Sequence, residues 1–161
     1  MMELDFTNLL DLPGVEVDSW HYSPDAITFN LKILAKGIYC SYFHDYTEEL
    51  HQVRPILVRD LSAFGKPVYL KLPRRQFYCR ICQRYITEQL NFIDYRRKYT
   101  QRYEVNIYSQ VHSSSIEQIS KQENLNIEQV KNIVNYVEQK QQAKLDVDKF
   151  KLLSVNSCHK N

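Results

Sequence analysis

Between Val15 and Ile33 apolar and polar residues alternate with a period of two. Val15 and Val17 alternate with acids, and Ile27, Phe29, Leu31 and Ile33 alternate with Thr28, Asn30 and Lys32. Ser23-Pro24-Asp25 interrupts the two runs, so they are predicted to pair as a hairpin with one buried face. Trp20, near that turn, is expected to cap the core. Val53–Leu61 and the strictly alternating Val68-Tyr69-Leu70-Lys71-Leu72 predict a second pair of strands, with Gly65-Lys66-Pro67 as the turn and Pro73 as the stop. Tyr85-Ile86-Thr87-Glu88 reads as a short closing strand. A short helix over residues 2–13 precedes all of these, ended by Pro13-Gly14.

From Thr100 onward the period becomes helical. Tyr103, Ile107 and Val111 share one face of a helix over about 100–112. Ser114-Ser115-Ile116-Glu117 carries a capping-box pattern and opens a second helix with Ile116 and Ile119 inward. Asn126 caps a third, whose apolar face is Ile127, Val130, Ile133, Val134 and Val137. The two helices around Glu123-Asn124-Leu125 form a helix-turn-helix candidate. The expected class is α+β: a small antiparallel sheet, then three helices.

Charge sharpens this division. The formal net charge is only +2, yet the acids crowd into the first fifty residues. Residues 71–102 hold Lys71, Arg74, Arg75, Arg80, Arg84, Arg96, Arg97, Lys98 and Arg102 against Glu88 and Asp94. A basic block in a near-neutral chain is an electrostatic footprint, most often for nucleic acid. The interleaved Tyr95, Tyr99 and Tyr103 suit phosphate and sugar contacts. On the third helix Gln129, Lys131 and Asn132 face outward; amides of Gln and Asn match adenine edges, and Lys reaches guanine or phosphate. A solvated polar surface is the plainer alternative for both groups. No apolar stretch suits a signal peptide or a membrane span, which points to the cytoplasm and to reduced Cys40, Cys79, Cys82 and Cys158.

Cys79-Arg80-Ile81-Cys82 can turn back on itself and present two thiolates to one tetrahedral metal ion. Cys40, at the end of an earlier strand, supplies a third. His44 is the first candidate for the fourth ligand and His51 the second, with zinc as the expected ion. Ordinary buried cysteines are the alternative. No parallel strand–helix–strand pattern supports a thiol-redox role. Histidines in catalytic spacing, a phosphate-binding glycine loop and a nucleophile elbow are missing from the sequence.

In this order and spacing, Leu9-Leu10-Asp11-Leu12-Pro13-Gly14-Val15, Arg59-Asp60-Leu61, Gly65-Lys66-Pro67-Val68, Arg74 to Cys82 and Thr87-Glu88 resemble the N-terminal part of the ISL-three-type insertion-sequence transposases. The resemblance implies a zinc ribbon, a helix-turn-helix, and then a DDE catalytic domain that uses divalent metal. Cys40, Cys79 and Cys82 match three of that family's four cysteines; Phe43 stands at the fourth, and His51 matches a frequent family histidine. Leu145-Asp146-Val147-Asp148-Lys149-Phe150 is similar to the segment bearing the first catalytic Asp, with Asp148 in its place. One carboxylate cannot hold two divalent ions. The chain is therefore expected to be a truncated transposase that binds double-stranded DNA at terminal inverted repeats without catalysis. The alternative is an interaction remnant that associates with full-length transposase or with itself. The expected domains are a ribbon over 1–91, a basic linker and helix-turn-helix over 92–140, and a poorly ordered remnant over 141–161.

Overall fold

A computed structural model describes residues 4–157. Its elements run α1 (Phe6–Leu10), β1 (Val15–Tyr22), β2 (Ile27–Ile33), β3 (Ile38–Tyr39), β4 (Tyr46–Thr47), β5 (Leu50–Ala63), β6 (Lys66–Cys79), β7 (Arg84–Thr87), α2 (Gln101–Gln110), α3 (Ile116–Glu123) and α4 (Ile127–Ser157). They group into two compact units, Met1–Tyr103 and Glu104–Asn161.

In the first unit the main sheet has the order β1-β2-β6-β5, with β7 added to β6, and β3 pairs with β4 in a small second sheet. The alternating strands put Val15, Ile27, Phe29, Leu31, Val58, Val68, Leu70 and Leu72 into one core with Leu12, Phe92 and Ile93. The class is α+β as expected, but the sheet is not wholly antiparallel: Ile27 to Asn30 run parallel to Val68 to Lys71. The sequence between them must therefore cross over, and the β3–β4 sheet and β5 lie in that crossover.

Strands β5 and β6 are longer than their alternation predicts. Phe64 and Gly65, both with positive φ (54° and 72°), make the turn, so Lys66-Pro67 already lies in the strand. Pro73 does not end β6. It faces Pro55 of β5, and two residues without N–H groups can only share a non-hydrogen-bonded position of the ladder. Their outward edge costs nothing either on β6, because pairing with β2 stops at Lys71 and pairing with β7 begins at Gln76. Trp20 is 53% exposed and meets the core beside Phe6, whose ring lies 5.2 Å from Trp20 and 5.4 Å from Phe29. The short α1 starts where the Asp5 carboxylate accepts the Thr7 and Asn8 N–H groups, and stops at the left-handed Asp11.

Helix α2 carries the chain from the first unit into the second. Helix α3 is capped one residue later than the sequence pattern suggests, by Ser115 with Gln118 completing the box. Asn124 ends it in the left-handed conformation (φ 52°), its N–H on Ser120 O. Asn126 then caps α4: its side chain accepts the Gln129 N–H at 2.8 Å, and Gln129 Oε1 accepts the Asn126 N–H at 2.9 Å. Ile107, Ile119, Val130, Ile133 and Val137 are buried, whereas Ile127 is 40% exposed. Residues 141–157, expected to be poorly ordered, continue α4 as helix. Cys158 lies outside the described residues.

Candidate metal centre and nucleic-acid interface

Two hairpins carry the three cysteines. Cys40 follows β3 and opens the turn to β4, while Cys79 ends β6 and Cys82 lies in the turn to β7. The hairpins are tied side by side by main-chain and hydroxyl bonds: Tyr78 N–H donates to Glu49 O, and Thr47 Oγ1 to Tyr78 O, both at 2.8 Å. As a result Cys40, far from the other two in sequence, places its sulfur with those of Cys79 and Cys82, all within 4.8 Å of one another. Cys40 Sγ and Cys82 Sγ are 3.6 Å apart. Sulfurs around a tetrahedral zinc, at Zn–S of about 2.3 Å, stand about 3.8 Å apart. The donor set thus suits three vertices of a zinc site, and the three thiols are free of disulfides.

The thiols differ electrostatically. Burial pushes the Cys40 thiol up, but the N–H groups of Phe43 and Tyr42, with the Cys82 and Cys79 thiols, bring it below the ordinary value. Burial and the neighbouring Cys79 and Cys40 thiols push Cys82 up to about 11, against one N–H bond from Arg84. A bound cation would favour the thiolate form of its sulfur ligands.

Neither histidine expected as fourth ligand joins the cluster among the described residues. His44 is exposed in the turn, with φ of 57° and its N–H on Cys40 O. The His51 ring stacks on Tyr85 at 4.2 Å. Spacing alone could not exclude them, because both lie close enough in sequence to reach. Gly37 keeps β3 and β4 close: a Cβ there would stand 2.2 Å from Thr47 O and 2.9 Å from Glu48 Cγ. Gly37→Ala should therefore cost about 1–3 kcal/mol by overpacking, read as a lower urea midpoint at unchanged slope.

The basic residues separate into two kinds. Arg75 is bound to Glu88 through both Nε (2.7 Å) and Nη2 (2.6 Å), with side chains only 13% and 8% exposed. Arg102 grips the buried Asp60 carboxylate at 2.8 and 2.5 Å and also donates to Leu10 O at 2.8 Å. Both were expected on phosphate; both are occupied by this chain's own acceptors. Tyr103 is buried beneath the Arg59 guanidinium, 5.1 Å from its ring centre, and Tyr99 stacks on it at 5.7 Å. Arg59 N–H and C=O bond Lys98 O and Thr100 N–H, and Thr100 Oγ1 donates to Asp60 at 2.7 Å. The Arg59-Asp60 pair is thus a clamp that straps residues 98–102 to β5.

Arg74, Arg96, Arg97 and Lys98 instead line one groove of about 450 Å³ with Leu57, Leu90, Ile93 and Tyr95. Arg96 lies over the Tyr95 ring at 5.0 Å. Arg54, which the sequence reading missed, is the direct cross-strand partner of Arg74. Two cations placed opposite each other are unfavourable unless an anion lies between or above them. Only the β5–β6 register reveals that pair. Arg80 is exposed and paired with Glu49, and Arg84 covers the Tyr42 ring at 4.8 Å. In the second unit Lys131 and Asn132 are exposed on α4, with Lys131 3.5 Å from Glu128. Gln129, expected to read bases, has its amide oxygen in the α4 cap.

Two hairpin-tip turns whose cysteines converge, and a capped helix, left-handed turn and helix further along the chain, define a zinc ribbon joined to a helix-turn-helix. Residues 39–82 match the zinc-finger of transposase IS204/IS1001/IS1096/IS1165, and residues 88–138 match the helix-turn-helix domain of transposase family ISL3. Together they cover more than half of the chain, which belongs to the ISL3 transposase family as part of its N-terminal region. No curated protein and no solved structure matches it significantly. No helix among the described residues is long and apolar enough to cross a membrane.

Proposed function

We propose that this chain grips double-stranded DNA at the terminal inverted repeats of an insertion sequence, with zinc held by Cys40, Cys79 and Cys82 and without strand cleavage by its own residues. The observation that carries the reading is the basic groove of Arg74, Arg96, Arg97 and Lys98, extended across the strand by Arg54, in a chain with a helix-turn-helix. These cations track phosphates. Lys131 and Asn132, near the start of the second helix of the motif, enter the major groove, where the N-terminal part of a recognition helix meets base edges. Zinc, when bound, closes the two hairpin tips into one rigid end; the neighbouring side chains then keep a fixed register. Asp148 is exposed on α4, and among the described residues no cluster of carboxylates or histidines comes together as a metal site.

Gel-shift titrations against fragments of the element's ends and against random duplex test the proposal. Arg74→Ala and Lys98→Ala should each weaken all duplexes alike and lower the salt slope by roughly one. Asn132→Ala and Lys131→Ala should cost about 1–3 kcal/mol on the end sequence and little on random DNA. Absence of any duplex affinity at low salt would remove the proposal.

One observation favours a second reading, association with a transposase or another copy of this chain. Leu145, Val147, Phe150, Leu152 and Leu153 are all more than half exposed on α4. Sedimentation of the protein without DNA separates the two readings.

A further inference from the structure

The two hairpin tips share one internal geometry. In each, a cysteine opens the turn, a second position stands three residues on, and the next residue adopts the left-handed conformation. His44 (φ 57°) follows Phe43, and Gln83 (φ 53°) follows Cys82. Phe43 is therefore the structural counterpart of Cys82. The backbone that would present a fourth sulfur is already formed: Cys40 N–H donates to Asp45 O at 2.7 Å, and His44 N–H donates to Cys40 O at 2.8 Å. The Tyr42 N–H lies 3.4 Å from Cys40 Sγ. The Phe43 ring is 61% exposed rather than packed over the sulfurs. Cys40 and Cys79 are buried at 0% and 2%, whereas Cys82 is partly open to solvent, so the way in lies beside Cys82.

We infer that the metal centre is a three-thiolate site with an accessible fourth position, and that this position takes a thiolate from outside the chain. The inference rests on the zinc reading above. Three soft sulfur donors favour a soft fourth partner. Exposed Tyr42 and Ile81 give the carbon stem of such a thiol an apolar wall. The guanidinium of Arg84, over the Tyr42 ring in the first turn, offsets part of the charge a fourth thiolate adds. On binding, the S–H proton passes to solvent, a metal–sulfur bond forms and a solvent molecule is displaced; no electron changes hands.

The experiment loads the full chain with Co²⁺ under anaerobic conditions and titrates it with 2-mercaptoethanol. The expected result is a shift of the d–d absorption and a rise in sulfur-to-cobalt charge transfer by the share of one added thiolate. Phe43→Cys should show the final spectrum without added thiol and no response to it. That variant should also hold zinc against a chelator about 100-fold more tightly, at or beyond the upper end of what outer-shell changes produce. A wild-type spectrum that ignores the thiol and does not change with protein concentration overturns the inference while leaving the zinc reading intact. So does a response restored or created only by His44→Ala, His51→Ala or Cys158→Ser, which identifies a ligand from within the chain. A response that grows with protein concentration and needs no added thiol assigns the fourth sulfur to a second copy, again outside the chain. Failure of the wild type to take up cobalt or zinc at all, with uptake by Phe43→Cys, overturns both.

Discussion

Cys79→Ser is expected to abolish zinc retention and to melt the hairpin tips while the main sheet stays folded. The tips have almost no apolar core of their own: Cys40, Cys79 and Ile86 are buried there, with Ile38 and Cys82 packed against them. The main sheet, by contrast, buries eleven residues from Leu12 to Ile93. Structural zinc in small modules contributes about 10–16 kcal/mol of apparent binding free energy near neutral pH. So large a share cannot be replaced by one isoleucine, whose burial contributes about 1.5–3 kcal/mol. Removing one of three thiolates leaves two, short of any closed site. Hydrogen exchange should show lost protection over residues 38–47 and 78–87, with strands β1 and β2 unchanged; chelation of the wild type should give the same map. Loss of protection throughout the first unit would show that the sheet depends on the metal too.

The second large effect belongs to the Asp60–Arg102 clamp. Arg102→Ala should destabilise the first unit by about 2–4 kcal/mol, somewhat less than the range for a fully buried pair because water screens the guanidinium. The Arg102 side chain is 36% exposed and that of Asp60 is 2% exposed. The loss arises mainly from a carboxylate left buried without its cation. Asp60→Leu combined with Arg102→Met should recover much of it, since an apolar pair leaves no stranded charge. The clamp also makes stability depend on pH. Burial alone would push the Asp60 carboxyl up, but Arg102, Thr100 and the Leu61 N–H together hold it below its ordinary value. The stabilisation is therefore fully present above the unfolded value of about 3.9 and is lost as the pH falls through the still lower folded value. Urea midpoints from neutral pH down to that range should fall more steeply for the wild type than for the Leu/Met double variant.

The clamp explains why an arginine that reads as a phosphate ligand does other work. Arg102 and Asp60 are 42 residues apart, and Arg75 and Glu88 are 13 apart. A basic run shows that cations are concentrated, but not which of them already face a carboxylate brought in from elsewhere. Arg74, next to Arg75, points the other way along the strand's alternation and stays exposed. The strand period could have separated the two, had β6 been recognised as continuing past Pro73.

What the sequence by itself determined is whatever is settled within a few residues. The alternation placed β1 and β2, Asn126 set a helix start, the Ser114-Ser115 pattern located the start of α3 to within one residue, and Cys79-x-x-Cys82 formed a turn on its own. Those features rest on side-chain period and on bonds to the third or fourth residue along, which any window of the chain contains. Tertiary structure alone decided that Cys40 meets the other two sulfurs while His44 and His51 do not, that β2 runs parallel to β6, and that Pro55 can face Pro73. It also decided that Arg75 and Arg102 face carboxylates of this chain. Each of these depends on the register of strands distant in sequence, and register is set by burial summed over the whole sheet rather than by any one residue's neighbours.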